Sequence, residues 1–316
     1  MTATPDAEAA SACPLCRGEM HRLFEARDYR RPQLAQTFRV VWCSRCGYGR
    51  VAARLSPQDV AAFYRVDYYT HAEAGDAAAP AARRLLDRLR THLAWRFDRG
   101  ADFAPQELGA PGRIIDIGCG AGPNMAKLQA AGFEVVGIEP DPAARQVARQ
   151  FGPVHEGTAE DPPAEAGTGF DYALMSHVLE HTINPAMALQ RVHGLLRPGG
   201  TAVVEVPNCA APGFGRFGPS WPWTDLPRHL HYFTRGSLTA MLTSTGFKPV
   251  GLHYTGFTRQ FDPAWIRALD AIHDELQCPD DRSTALGRQS WGLLLRSAWA
   301  PADRKYDSIR VHATRV

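Results

Sequence analysis

No run of apolar residues in this sequence approaches the ~20 residues that a bilayer-spanning helix needs. The opening stretch, MTATPDAEAASACP, has neither the basic start nor the apolar core of a secretory signal. A cytoplasmic location with no membrane partner is the expectation that follows. Charge of one sign is also lacking. The 35 Lys and Arg barely outnumber the 33 Asp and Glu, for a net charge of +2. So small an excess gives no general nucleic-acid footprint, and nucleic acid is not an expected partner. Cysteine is sparse and odd in number, seven in all, which in a reducing compartment favours metal ligation over a disulfide framework.

The 316 residues, 45% of them hydrophobic, suffice for one large domain with additions or two modest ones. Residues 1–55 read as a disordered leader of small residues followed by a compact cysteine-bracketed unit. Residues 56–105 read as a helical lid and linker. There Ser56-Pro57 opens a helix, residues 72–81 form a flexible connector, and Arg83 to Asp98 has apolar residues at helical spacing. From 106 to 258 strand and helix alternate. GRIIDIG, FEVVGIEP, FDYALMSHVL, TAVVEVP and KPVGLHY read as strands. NMAKLQAAG, PAARQVARQFG, PAMALQRVHGLLRPGG and SLTAMLTSTGF read as helices between them, several stopped by Gly. The fold class is therefore α/β, a doubly wound and mostly parallel sheet with helices on both faces. Residues 259–316 read as a mainly helical C-terminal extension.

The main motif is Asp116-Ile-Gly118-Cys119-Gly120-Ala-Gly122, placed directly after a strand and before a helix. Ligands of open α/β sheets sit beyond the carboxyl ends of the strands. Glycines there let the backbone turn tightly and approach a ligand. The dinucleotide pattern G-x-G-x-x-G fails, because Pro123 stands where its third glycine would be. Asp116 suits a ligand bearing an ammonium group better than one bearing a pyrophosphate. Glu139 ends the second strand, where an acid can bind both ribose hydroxyls of an adenosine.

These residues resemble the class I, Rossmann-like, S-adenosylmethionine-dependent methyltransferases. The resemblance covers about 113–255, with DIGCGAG, GIEPDP, GTAED, FDYALMSHVLEH and LLRPGG in that family's order. It implies S-adenosyl-L-methionine as cofactor, its methionine part wrapped by the loop carrying Gly118, Cys119, Gly120 and Gly122. Glu139, followed by Pro140, would hold the ribose. Ala159 and Glu160 would flank the adenine, and Ser176 and His177 would lie beside the sulfonium. Cys119 stands where that family often has Cys, so no nucleophile is needed to explain it.

Cys13-Pro-Leu-Cys16 and Cys43-Ser-Arg-Cys46 are two CxxC knuckles. Four thiolates place a tetrahedral set around Zn²⁺, each knuckle supplying two ligands from one tight loop. Such a site has no open position, so the zinc is expected to be structural and the ribbon-like module to position a substrate lid.

Methyl transfer needs an aligned acceptor and often a base. Three clusters offer groups. His177 and His181, four apart in SHVLEH, would share one side of a helix; a structural role beside the cofactor outweighs metal binding for them. Trp221 to Thr234 carries Asp225, Arg228, His229 and His231 after the fifth strand. His229 is the first choice for general base, with His231 second and better explained as fixing the loop. Tyr64, Tyr68 and Tyr69 form either an aromatic lid or a packing cluster.

The zinc-ribbon layout and RHLHYFT are similar to sugar-nucleotide C-methyltransferases, and to bacterial methyltransferases of polysaccharide and secondary-metabolite pathways. In the sugar enzymes a Glu-His pair assists deprotonation, with a Tyr upstream. Here His229 matches the His, but Arg228 replaces the Glu, and Leu226 and Pro227 stand where the Tyr would be sought. That departure argues against carbon deprotonation, and Arg228 would suit an anionic small-molecule substrate. O-methylation of a small molecule is the leading expectation. C- or N-methylation of a sugar nucleotide or metabolite, RNA methylation, and a non-catalytic cofactor-binding regulator are the alternatives.

Overall fold

The computed structural model describes residues 12–53, 55–64, 81–276 and 286–316. Along these residues the chain forms strands β1 (His21–Arg27), β2 (Thr37–Cys43) and β3 (Tyr48–Val51), then helices α1 (Pro57–Phe63) and α2 (Ala81–Phe97). There follow β4 (Arg113–Ile117), α3 (Pro123–Ala130), β5 (Glu134–Ile138), α4 (Pro142–Ala148), β6 (Val154–His155), β7 (Phe170–Ser176), α5 (Pro185–Leu195) and β8 (Leu196–Pro207). The last elements are α6 (Pro212–Phe217), β9 (His231–Tyr232), α7 (Arg235–Ser244), β10 (Phe247–Thr255), α8 (Pro263–Glu275), α9 (Leu286–Ser297) and β11 (Ser308–Arg315).

They group into two compact units. One comprises residues 101–208, 233–255 and 308–316, the other residues 1–100, 209–232 and 256–307. The first holds a seven-stranded sheet in the order β10-β11-β8-β7-β4-β5-β6. β8, β7, β4, β5 and β6 run parallel, while β11 runs antiparallel to both β8 and β10. β4 lies in the middle of the five parallel strands with its last four residues buried, which is why IIDI reads as an apolar run save for one acid. Ile114, Leu174 and Val203 from three adjacent strands pack with Met125 and Leu128 of α3 into one core. Strand order reverses between β4 and β7, so the loops after these strands open where ligands of doubly wound sheets bind.

The second unit holds a four-stranded antiparallel sheet, β1-β2-β3-β9. Three strands come from the cysteine-bracketed segment. The fourth, β9, pairs Tyr232 with Gly49 and His231 with Arg50. The helix expected after Ser56 is present, with Ser56 accepting from Asp59 N and Asp59 returning the bond, a reciprocal cap.

Three features depart from the expectations. The helix read through LLRPGG stops at Leu195, and β8 begins at Leu196. Leu196 is already extended at φ −76° and ψ 150°, and Pro198 disfavours helix at Arg197. The extension over 259–316 does contain α8 and α9, but its end is a strand that completes the sheet between β8 and β10. The compact units also cut across the sequential boundaries expected at 55, 105 and 258, since the sheet recruits 308–316 and the smaller sheet recruits 231–232. The leader, Tyr68, Tyr69, Cys278 and most of the 72–81 connector lie outside the described residues.

Candidate functional site

At the end of β4 the chain turns through Gly118, Gly120 and Gly122 at φ of +66°, +54° and +85°, values that L side chains resist. A Cβ at Gly118 would lie 2.6 Å from Val178, and one at Gly122 would lie 2.8 Å from Phe151. A Cβ at Gly120 would meet nothing within 4 Å. Two of the glycines thus serve packing, and the third turns its backbone toward open space. Cys119 is buried, and burial holds its thiol well above its usual range. That leaves it a packing residue.

Asp116 and Glu139 stand at the ends of neighbouring strands, 2% and 8% exposed. Asp116 Oδ2 has no hydrogen-bond partner among the described residues. Burial, and then the charge of Glu139, push the Asp116 carboxyl up to about 8. Glu139 Oε2 accepts from Gly120 N at 2.8 Å and Oε1 from Asp141 N at 2.9 Å. Burial still raises it above the ordinary carboxylate range. Two buried acids with so little compensation are costly unless a cation joins them. A ligand with an ammonium group and vicinal hydroxyls has the chemistry that completes this pair.

The other expected cofactor residues are in the same unit. Ala159 is buried, and Glu160 accepts from Ile183 N and Asn184 N at 3.2 and 2.7 Å. Pro140 is exposed, with its carbonyl bonded by Arg145. Ser176 ends β7, and His177 follows at φ +56°. His177 Nδ1 lies 3.2 Å from Glu180 Oε1 and its Nε2 3.5 Å from Glu205 Oε1. Burial opposes the charged ring, but the two carboxylates outweigh it and carry His177 up to about 9. Glu205 is brought down to about 2, because His177 and Arg310 overcome its burial. The expected helix over 177–181 is only a 3-10 turn, Leu179–His181. His177 and His181 therefore do not share a helical face, and His177 lies between two carboxylates.

The 225–231 stretch belongs to the other unit. Arg228 is 1% exposed. Its guanidinium bonds Asp225 Oδ1 at 2.8 Å and both oxygens of Asp28 at 3.0 and 3.2 Å. Asp225 also takes Arg30 at 3.2 Å. Although burial raises a carboxyl, the charges of Arg228, His229 and Arg30 hold Asp225 below the usual range. Arg228 is thus built into a buried ionic cross-link and is not presented to an anionic ligand, contrary to the expectation drawn from its side chain alone. His229 Nδ1 lies 2.7 Å from the Trp223 carbonyl, with the ring stacked on Trp223. A carbonyl only accepts, so Nδ1 carries a proton in this contact. His231 Nδ1 lies 2.6 Å from Tyr48 OH, the two rings stacked at 16°. This bond runs between β9 and β3, which are paired strands of the small sheet.

The four cysteines come together. Their Sγ atoms lie within 4.8 Å of one another, with Cys13 to Cys46 at 3.6 Å and Cys16 to Cys43 at 3.5 Å. Thiolates ~2.3 Å from one zinc ion stand about 3.8 Å apart on a tetrahedron, so the set fits the ion. Arg17 and Gly47 turn the knuckles at φ of +61° and +68°.

Sequence reasoning missed Glu205, Arg310, Glu107 and Asp28. Glu205 had a signal, an acid inside the apolar run TAVVEVP. Arg310 bonds both Glu205 and Glu107, but nothing local marks these partners. Asp28 meets Arg228 across 200 residues of chain.

A family model described as a methyltransferase domain matches residues 81–252, more than half of the chain. A ubiquinone biosynthesis O-methyltransferase of Ruegeria pomeroyi is 32% identical over 177 residues, 52% of this chain and 71% of that protein. One of Azorhizobium caulinodans is 31% identical over 149 residues, 43% and 58% of the two chains. Among solved structures, a 1,6-didemethyltoxoflavin-N1-methyltransferase of Burkholderia thailandensis aligns with a TM-score of 0.45 and 18% identity. It covers 86% of this chain and 96% of its own.

Proposed function

The chain belongs to the methyltransferase-domain family, and on that premise we propose that it moves the methyl group of S-adenosylmethionine to an oxygen of a small molecule. The observation that carries the cofactor assignment is the buried pair Asp116, with Oδ2 unpartnered among the described residues, and Glu139, beside the open backbone of Gly120. Asp116 would hold the ammonium of the methionine part, and the Gly118–Gly122 loop would lie against that part. Glu139 would take the ribose hydroxyls on lone pairs left beside its two backbone bonds. Ala159 and Glu160 would border the adenine. The cofactor, when bound, supplies an electrophilic methyl group. His229, its ring held by the Trp223 carbonyl through Nδ1, would assist the acceptor as general base. The oxygen acceptor follows the name carried by the relatives in ubiquinone biosynthesis.

Zn²⁺ on Cys13, Cys16, Cys43 and Cys46 would close the ribbon. Because β9 completes the ribbon's own sheet, the ion would also hold His231, and through the short loop before it the 225–229 segment. That is a positioning role, with all four ligand places filled by protein.

The test is calorimetric titration of S-adenosylmethionine and of NAD, with metal counting on the purified chain. Transfer of a labelled methyl group is then followed across phenols, hydroxy acids, amines and sugar nucleotides. Selective S-adenosylmethionine binding, one zinc per ribbon and an O-methyl product are the expected results. Selective NAD binding would overturn the cofactor assignment. A C- or N-methyl product would replace the oxygen acceptor. Tight cofactor binding with no transfer to any acceptor would favour a regulator.

A further inference from the structure

We propose that Glu107, His253 and His312 form a second metal site, one for a first-row divalent ion of the Zn²⁺ type. The three belong to one unit but to three parts of the chain: the turn before β4, β10 and β11. In the β10–β11 ladder His253 faces Arg310 and His312 faces Gly251. His253 and His312 are therefore diagonal neighbours on one face of the pleat, their ring centroids 4.7 Å apart. Gly251, opposite His312, adds no side chain to fill the space beside the two rings.

The ligand atoms are at the right separations. His312 Nε2 lies 3.2 Å and His253 Nδ1 lies 4.0 Å from the same oxygen, Glu107 Oε2, and all three lie within 4.8 Å of one another. Ligands ~2.0–2.1 Å from a tetrahedral ion stand about 3.3 Å apart. The His312 to Glu107 distance already matches. The His253 side chain is 42% exposed and reaches the same geometry by a shift of less than ~1 Å. His312 supplies the second, independent observation. It is 7% exposed, and its Nε2 has no aligned hydrogen bond even though the carboxylate is 3.2 Å away. A shared ion would give His312 Nε2 the partner that it lacks.

Two imidazoles and one carboxylate select Zn²⁺, Cu²⁺ or Ni²⁺ over Mg²⁺ and Ca²⁺, which prefer all-oxygen sets. Arg310 bonds the same carboxylate through Oε1 at 2.7 Å and Oε2 at 3.1 Å. Its charge is shared with Glu205 at 2.6 Å, so Glu107 keeps donor capacity on Oε2. The open coordination positions face the exposed His253 side and take water. Unlike the four-cysteine cluster, this is a nitrogen–oxygen set with room for exchange.

The full chain is titrated with Co²⁺ and, separately, with Zn²⁺, and the bound metal is counted after dialysis in wild type, H253Q, H312Q and C16S. The expected result is one equivalent that disappears in H253Q and in H312Q but survives in C16S. Its Co²⁺ spectrum should show ligand-field bands without thiolate charge transfer. H253Q alters an exposed side chain, so an unchanged melting curve separates ligand loss from misfolding. The proposal is overturned if no equivalent depends on His253, or if the equivalent is retained by H253Q and lost in C16S. The four-cysteine reading stands or falls separately, on the equivalent that C16S removes.

Discussion

Two sets of buried acids in this chain are treated in opposite ways. In the unit that holds the small sheet, Asp28 and Asp225 are surrounded by Arg228, Arg30 and Arg31. In the unit that holds the large sheet, Asp116 and Glu139 stand at the ends of neighbouring strands, Glu139 relieved by two backbone N–H groups and Asp116 Oδ2 without a partner among the described residues. The first pair is bonded by cations of the protein itself. The second, with Asp116 at about 8, is left unfinished, and unfinished buried charge is what a binding site looks like when its ligand is cationic. Compensation marks scaffold and its lack marks function. The anion-binding role first read into Arg228 fails on that distinction.

The largest effect that tests the contrast is at Arg228. Arg228→Ala would leave Asp28 and Asp225 with only their outer arginines. Removing one member of a buried ion pair costs about 3–5 kcal/mol, so the variant should unfold at much lower urea, with little folded protein near 37 °C. Wild-type stability with methyl transfer lost would instead return Arg228 to the substrate.

Asp116→Asn should do the reverse. It replaces an acid that the folded chain must hold protonated or, above pH 8, charged with a neutral amide of the same shape, so the folded chain should be no less stable at neutral pH, and more stable above pH 8. Cofactor affinity should drop by the worth of one charge-assisted hydrogen bond, about 1.5–3 kcal/mol, or roughly 10- to 100-fold. Calorimetry and melting curves on the same sample read both signs. A variant that loses stability and keeps its affinity would put Asp116 in the scaffold.

The pH dependence follows with a definite sign. Asp116 ionises near 8 in the folded chain, against ~3.9 in an unfolded one. The native state holds a proton there that the unfolded state has released, so this group's contribution to stability is full below pH ~4 and lost as pH rises through 8. A cationic ligand needs the ionised form. Affinity should therefore climb about tenfold per pH unit below 8 and level off above it. Asp225, depressed by its arginines, behaves oppositely. Its contribution is present above the ordinary carboxylate range and is lost only as pH falls through its lowered value. A flat affinity profile between pH 6 and 8 would remove the ammonium partner from Asp116.

What was legible in the sequence follows the same line. Asp116 to Gly122 is contiguous, lies between a strand and a helix, and is bounded by residues whose periodicity is plain. Glu139 ends the next strand, and each cysteine knuckle is a single turn. All of these are local. The Asp28–Arg228 cross-link and the network through Glu107, Arg310 and Glu205 are assembled from distant segments, and no spacing records them. Ser308–Arg315 was hidden for a related reason. All six residues from Ser308 to Ala313 are buried, including Arg310 and His312, so a strand lying inside the sheet presents the polar pattern of a surface tail. Its arginine is intelligible only once Glu107 and Glu205 are seen on either side of it.

The smallest effect concerns how the small sheet holds its last strand. Tyr48→Phe keeps the ring stacked on His231 and deletes the 2.6 Å bond to Nδ1. One buried hydrogen bond is worth about 1 kcal/mol net, so the melting temperature should fall by a few degrees. Tyr48 belongs to the unit of the small sheet and the glycine loop to the other, so S-adenosylmethionine affinity should not change. A fall in cofactor affinity equal to the loss in stability would mean that the two units do not divide the work as their buried charges suggest. An unchanged affinity would leave the ribbon sheet as a holder of the 225–231 segment, with binding confined to the acids of the other sheet.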